Sequence, residues 1–355
     1  MNSNLTYDFS KLYEMPEYLK NRIFGQDHII DSVIDMLTIN IAGLGDDNKP
    51  MATFLFTGPT GVGKTELAIE IAKYLEMHFE RFDMSEYADD SSYRNLIGGH
   101  KGLVGYEEGG LLTNAITEHP FSVLLLDEIE KADKAIYNTF LQVFDYATLK
   151  DTKGNVTDFS NTIIIMTSNL GVSEKRGIGF GENTNVNKGS AIVDFLTPEF
   201  RNRIDKILHF NTLTEDMIEP VVDKFLDDLS TKLSKRNITL IISSEAREYL
   251  TYMGFESAMG ARSVKRMINN EFKKHISKEI LFGVLKHGGE ITIDIEETEF
   301  VYSYLPRTVP KTQPELFKDL STYDFETADE AMVYAKNNPG AVIGRASSGV
   351  GYVIK

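Results

Sequence analysis

Gly58-Pro59-Thr60-Gly61-Val62-Gly63-Lys64-Thr65 fits the phosphate-loop pattern G-x-x-x-x-G-K-[ST]. The apolar run Phe54-Leu55-Phe56 leads into it, and Glu66 to Glu76 leaves it with helical periodicity, so strand, loop and helix follow in the order the pattern needs. Glycines there let backbone N–H groups close around phosphate oxygens at a helix N-terminus, where the partial positive charge favours an anion. In this reading Lys64 reaches the β/γ-phosphates of a nucleotide and the Thr65 hydroxyl binds Mg²⁺. A strand-loop-helix unit of this kind predicts an α/β fold around a parallel sheet.

The second decisive stretch is Val123-Leu124-Leu125-Leu126-Asp127-Glu128, an apolar run that ends in two carboxylates. An unbroken apolar run suits a parallel strand covered on both faces, and ligands of open α/β sheets sit at the C-terminal strand ends. Asp127 is therefore expected to hold Mg²⁺ through its water shell, and Glu128 to polarise an attacking water. Ile163-Ile164-Ile165-Met166-Thr167-Ser168-Asn169 reads as another buried strand with a polar tip. Asn169 could orient water there, or serve as a turn-former before Gly171. Arg81-Phe82-Asp83-Met84 reads as a further short strand, and Ile29 to Leu37 as a helix.

The remaining composition bounds the rest. A chain of 355 residues suggests two or three domains, and 42% hydrophobic with 25% charged residues is ordinary globular usage. A formal net charge of -16 argues against nucleic acid or an anionic membrane as the main partner. The absence of cysteine excludes disulfides and thiolate metal sites. With no long apolar span and no signal-like start, a soluble cytoplasmic protein is expected.

Taken together, GPTGVGKT, LLLDEIEKA (Leu124–Ala132), TSN (Thr167–Asn169), TPEFRNRID (Thr197–Asp205) and MGARSVKR (Met259–Arg266) resemble the AAA+ ATPases of the Clp unfoldase family, most closely the second ATPase module of the ClpA type. The similarity runs from about Ile23 to about Ile295 and takes in FDMSEY (Phe82–Tyr87) and GGLLT (Gly109–Thr113). It implies an AAA+ large domain over residues 19–211 after a lead-in of residues 1–18. A small, mostly helical lid domain follows at 212–305, then a linker with a small α/β appendage at 306–355. It also implies ATP and Mg²⁺ as cofactors, a homohexameric ring, and polypeptide pulled through a central pore.

Residue by residue, the resemblance makes Ile23 and Phe24 part of the nucleotide site. It makes Asn169 the polar sensor, Arg203 the finger that reaches a neighbouring subunit's nucleotide, and Arg262 a second sensor on the lid. Guanidinium donors suit charge developing on phosphate oxygens, although a surface ion pair is the commoner fate of an arginine. The family's pore loop usually carries an aromatic in G-Y-V-G, whereas Gly102-Leu103-Val104-Gly105 places Leu103 there, with Val104 beside it. Leucine offers less flat contact area than tyrosine, and Tyr106 either compensates or packs as an ordinary aromatic. In a polar loop, Ile178-Gly179-Phe180 stands where the family docks on a ClpP-type peptidase; the alternative is a loop hydrophobe tucked into its own domain.

Met217, Ile218, Val221, Val222, Phe225, Leu229 and Leu233 recur at helical spacing and read as small-domain core. Ile238–Ile242 and Ile291–Ile295 read as short strands. Three prolines between Pro306 and Pro314 mark a linker. Thr327-Ala328-Asp329-Glu330 then opens a helix as a capping box, and Ala346-Ser347-Ser348-Gly349 joins two short strands as a hairpin. The expected function is an ATP-dependent unfoldase feeding a ClpP-type peptidase. The alternatives are a regulatory protein that occupies the peptidase or another Clp ring, and a stand-alone remodelling chaperone.

Overall fold

The computed structural model describes residues 10–98, 109–170, 195–256, 259–307, 324–325, 327–337, 343–345 and 352–354. The readings at Leu103, Val104 and Tyr106, and at Ile178, Gly179 and Phe180, lie outside the described residues.

Strands β1 (Ala52–Thr57), β3 (Ser122–Asp127) and β6 (Thr162–Ser168) are buried at every position, which is why each reads as an unbroken apolar run rather than an alternation. With β2 (His78–Asp83) and β7 (Lys206–His209) they form a five-stranded sheet in the order β2-β3-β6-β1-β7, parallel throughout. The edge strand β2 keeps only Phe82 buried, so its sequence carries a weaker signal. Between β3 and β6, β4 (Thr148–Lys150) and β5 (Val156–Asp158) form a separate antiparallel pair.

The order of the sheet creates the site. β6 lies between β1 and β3, and the register aligns Thr57 with Ser168 and Asp83 with Asp127. The residues that follow these strands therefore emerge together at one edge. Beneath them, Leu124, Leu126, Ile164, Met166, Phe140, Phe144 and Phe200 belong to one buried cluster. Each such side chain contributes about 1.5–3 kcal/mol through removal from water, so the strand ends stand on a rigid base.

The chain divides into two compact units, one of residues 1–232, 242–276 and 293–301, the other of residues 233–241, 277–292 and 302–355. The first unit thus carries the helices Ser244–Glu256 and Ala261–Met267 and most of Glu215–Ser234 together with the parallel sheet. The contacts responsible are local. Lys224 Nζ donates to Glu66 Oε1 at 2.8 Å, and the Met217 side chain packs over Gly25, its Sδ 2.2 Å from where a Cβ would stand.

The described part of the lead-in, residues 10–18, belongs to a helix, Ser10–Lys20, with Met15 and Leu19 fully buried at i and i+4. Pro16 inside that helix masks it in a propensity reading. Tyr18 O–H donates to the buried carboxylate of Glu70 at 2.8 Å and ties this helix to the one that follows the phosphate loop.

β8 (Ile238–Ile242) and β9 (Gly289–Glu296) occupy the two expected stretches, and β10 (Glu299–Pro306) adds a partner in the order β10-β9-β8. Its alternation of Phe300, Tyr302 and Tyr304 with outward-facing residues is the signal that identifies it. Near the C-terminus, Thr327 Oγ1 accepts from the Glu330 N–H at 3.4 Å at the start of the helix Ala328–Asn337. β12 (Ile343–Arg345) and β13 (Tyr352–Ile354) pair antiparallel as the hairpin pattern predicts, with β11 (Asp324–Phe325) on the other edge of β13.

Candidate nucleotide site

The loop between β1 and the helix Lys64–Tyr74 needs glycine for two physical reasons. Gly61 has φ +80°, and a Cβ on it would stand 2.0 Å from the Met259 carbonyl oxygen. Gly63 has φ +106° and caps the N-terminus of the helix, a backbone conformation L side chains rarely adopt. The loop thus wraps tightly and points the helix N-terminus into a cavity of about 460 Å³, the size range of small-molecule sites.

Thr60, Gly61, Val62, Gly63, Lys64 and Thr65 line this cavity, as do Ile23, Phe24, Asp127, Glu128, Asn169 and Arg262. Gly58 and Pro59 stand behind it and supply acceptors. Lys64 Nζ donates to Gly58 O at 2.5 Å, to Pro59 O at 2.7 Å and to Asn169 Oδ1 at 2.9 Å, which uses its three N–H donors. A phosphate arriving here would exchange these neutral acceptors for charged ones. Burial lowers the Lys64 pKa to about 8, against the opposing pull of Asp127 and Glu130.

Asn169 explains the value of the strand order. From the tip of the middle strand it meets Lys64 on one side and, through Nδ2, Glu128 Oε1 at 3.3 Å on the other. Its own N–H donates to Glu130 Oε1 at 3.1 Å. Glu128 adopts φ +58°, ψ +51°, a left-handed conformation uncommon outside glycine and found where surrounding structure holds a residue against local preference. Thr167 does much of that holding. Its buried hydroxyl donates to Asp127 Oδ1 and accepts from the Glu128 N–H at 3.0 Å.

Each carboxylate of the pair also has a cation. Arg81 donates to Asp127 Oδ2 from Nε at 3.1 Å and Nη2 at 2.6 Å, and Lys131 pairs with Glu128. The Thr65 hydroxyl and the Asp127 carboxylate are hard oxygen donors of the kind Mg²⁺ takes alongside water and phosphate. Among the described residues no group of three or more His, Asp or Glu side chains is placed to hold a metal, so such an ion would draw its other ligands from water and a bound phosphate.

Arg203 stands apart from this cavity. Its Nε donates to Asp145 Oδ1 at 2.6 Å and its Nη1 lies 3.2 Å from Glu199 Oε1, just after the short helix Pro198–Arg201. Several lining residues escape the sequence reading. Leu213, Val221, Lys224 and Phe225 come from the lid side, although Val221 and Phe225 read as plain core. Arg22, Arg81, Asp83 and Lys265 bring further charge. Helical spacing identifies a buried stripe but not which of its members border a cavity.

The large α/β part, residues 49–207, matches the family described as AAA domain (Cdc48 subfamily). Residues 213–293 match the C-terminal, D2-small domain of ClpB protein. The chain is 41% identical over 297 residues to a ClpA homolog protein of Fuscovulum blasticum, covering 83% of this chain and 38% of that one. It is 43% identical over 298 residues to the chaperone protein ClpB of Clostridium tetani, covering 82% of this chain and 34% of the relative. The chain therefore spans little more than a third of the length of these curated relatives. Among solved structures, a closed-state reconstruction of Hsp104 with ATPγS and FITC casein superposes with a TM-score of 0.73 at 34% identity, over 84% of this chain and 52% of that one.

Proposed function

Because the chain belongs to the AAA+ Clp family of ATPases, we propose that it is an ATP-driven protein unfoldase module, working as a cytoplasmic homohexamer that threads polypeptide through a central pore. The observation that carries this reading is the convergence of Lys64, Asp127, Glu128 and Asn169 with Arg262 around one cavity. In it Lys64 and the loop amides hold the phosphates, and Thr65 and Asp127 hold Mg²⁺. Mg²⁺ would neutralise phosphate charge there. Glu128 orients the attacking water, Asn169 and Arg262 read the terminal phosphate, and Arg203 serves the neighbouring copy's site. Residues 19–211 act as the large domain and 212–305 as the lid.

Delivery to a ClpP-type peptidase rests on Ile178-Gly179-Phe180 and the ClpA-type relative. A second reading, a remodelling chaperone that works without a peptidase, draws on the ClpB relatives. One experiment separates them: loss of fluorescence from a folded reporter with an unstructured tail, followed with ATP and with or without a ClpP-type peptidase. Loss that needs both components supports delivery, and loss with ATP alone supports the chaperone. ATP hydrolysis with neither would overturn the unfoldase reading and favour a regulatory role.

A further inference from the structure

Asp127 accepts hydrogen bonds on both oxygens. Thr167 takes Oδ1 from the neighbouring strand, and Arg81 takes Oδ2 with two donors. Parallel register explains the second contact. Asp83 lies directly across from Asp127, and Arg81 precedes Asp83 by two residues, so all three side chains share one face of the sheet. The Arg81 guanidinium consequently lies between two carboxylates, with Nη2 2.6 Å from Asp127 Oδ2 and 3.7 Å from Asp83 Oδ2. The other Asp83 oxygen is engaged by the Ser85 N–H at 3.1 Å and the Ser85 hydroxyl at 2.5 Å, which leaves Oδ2 facing Arg81.

The Arg81 side chain is 47% exposed and borders the cavity, whereas that of Asp127 is 11% exposed. The arginine is the exposed partner of the pair and the aspartate the enclosed one. From this geometry we infer that Arg81 is a positioning residue that competes with the divalent cation for Asp127 Oδ2, and that Asp83 is the acceptor to which it transfers when the cation binds. Two acceptors within reach of one guanidinium make the exchange possible without burying an unpaired charge. The same exchange keeps Asp127 from repelling an incoming phosphate before its cation arrives. This inference rests on the nucleotide-site reading above and adds to it a residue that sets the cation requirement.

The test is a Mg²⁺ titration of the full chain at a fixed concentration of a fluorescent ADP analogue, with analogue binding in EDTA measured separately. Chelation by the free analogue is common to all proteins, so the ratio of midpoints belongs to the protein. Arg81→Gln should lower the Mg²⁺ midpoint about two- to fivefold, the span of a partly exposed ion pair. Asp83→Asn retains an acceptor for Ser85 but weakens the second berth, and should raise the midpoint. Shifts in the same direction, or unchanged midpoints, would overturn the competition. Weaker binding of Arg81→Gln in EDTA with no downward shift would also overturn it, by making Arg81 a direct phosphate ligand. A wild-type chain that binds no analogue with or without Mg²⁺ would remove the nucleotide site itself, a result distinct from the others.

Discussion

The cavity has two walls of different construction. On the sheet side, Lys64, Asp127, Glu128 and Asn169 stand at or beyond the ends of three adjacent buried strands and are fixed by one another and by Thr167. On the helical side, Leu213, Val221, Lys224, Phe225, Arg262 and Lys265 come from the segment after β7, and Lys224 with Glu66 and Gly61 with Met259 join it to the first wall. The first wall is held by strand register and the second by a few side-chain and backbone contacts. Chemistry that demands fixed atoms belongs on the former, and closure over a ligand belongs on the latter.

The largest effect should come from the fixed wall. Glu128→Gln is expected to lower single-turnover ATP hydrolysis by a factor on the order of 10² to 10⁴ while ATP binding persists, because the amide keeps the shape and loses the base. Hydrolysis at the wild-type rate would remove Glu128 from its role and leave the two walls chemically alike.

On the helical wall, Arg262→Ala should weaken ATP binding about 10- to 100-fold, the scale of one lost charge-assisted hydrogen bond, and leave ADP binding close to wild type. Equal losses for both nucleotides would show that Arg262 touches phosphates other than the last, or acts through the packing of the lid. Direct fluorescence titration with both nucleotides distinguishes these outcomes.

A smaller effect tests how the fixed wall is held. Thr167→Val deletes the hydroxyl that serves Asp127 and Glu128 and leaves the Glu128 N–H without its acceptor, so the urea midpoint should fall by the equivalent of roughly 1–2 kcal/mol. Thr167→Ser should restore most of it. If valine is tolerated, the left-handed conformation of Glu128 is held by other contacts.

The contrast between the walls also explains what the amino-acid sequence discloses. Lys64 and Asp127 are legible because their neighbours in sequence build the strand and loop that present them. Thr167 is visible as part of a polar strand tip, but nothing local marks its hydroxyl as a bridge to another strand. Arg81 sits on an edge strand whose side-chain pattern is half exposed, and its partner lies 46 positions away. Val221 and Phe225 satisfy a core periodicity whether they face helix or cavity. The helix Ser10–Lys20 is concealed by Pro16, and its anchor, Glu70, reads as one more charged residue of an amphipathic helix.

The smallest expected effect is a pH dependence seated in Lys64, the residue through which the loop meets the tip of β6. Burial lowers its pKa to about 8, so as pH rises past that value the folded chain loses the proton while an unfolded chain, with the ordinary value of 10.5, keeps it. The unfolded state then binds more protons, so this group's contribution to folding stability rises with pH between about 8 and 10.5. Phosphate binding has the opposite sign, since a bound anion favours the charged amine. ADP affinity should therefore fall about threefold between roughly pH 7.5 and 8.5, with proton uptake on binding that grows over the same interval. Calorimetry in two buffers of different ionisation enthalpy measures that uptake. In Lys64→Arg, which stays charged throughout, the pH dependence should vanish. A slope that survives in this variant would assign the titration to another group of the cavity.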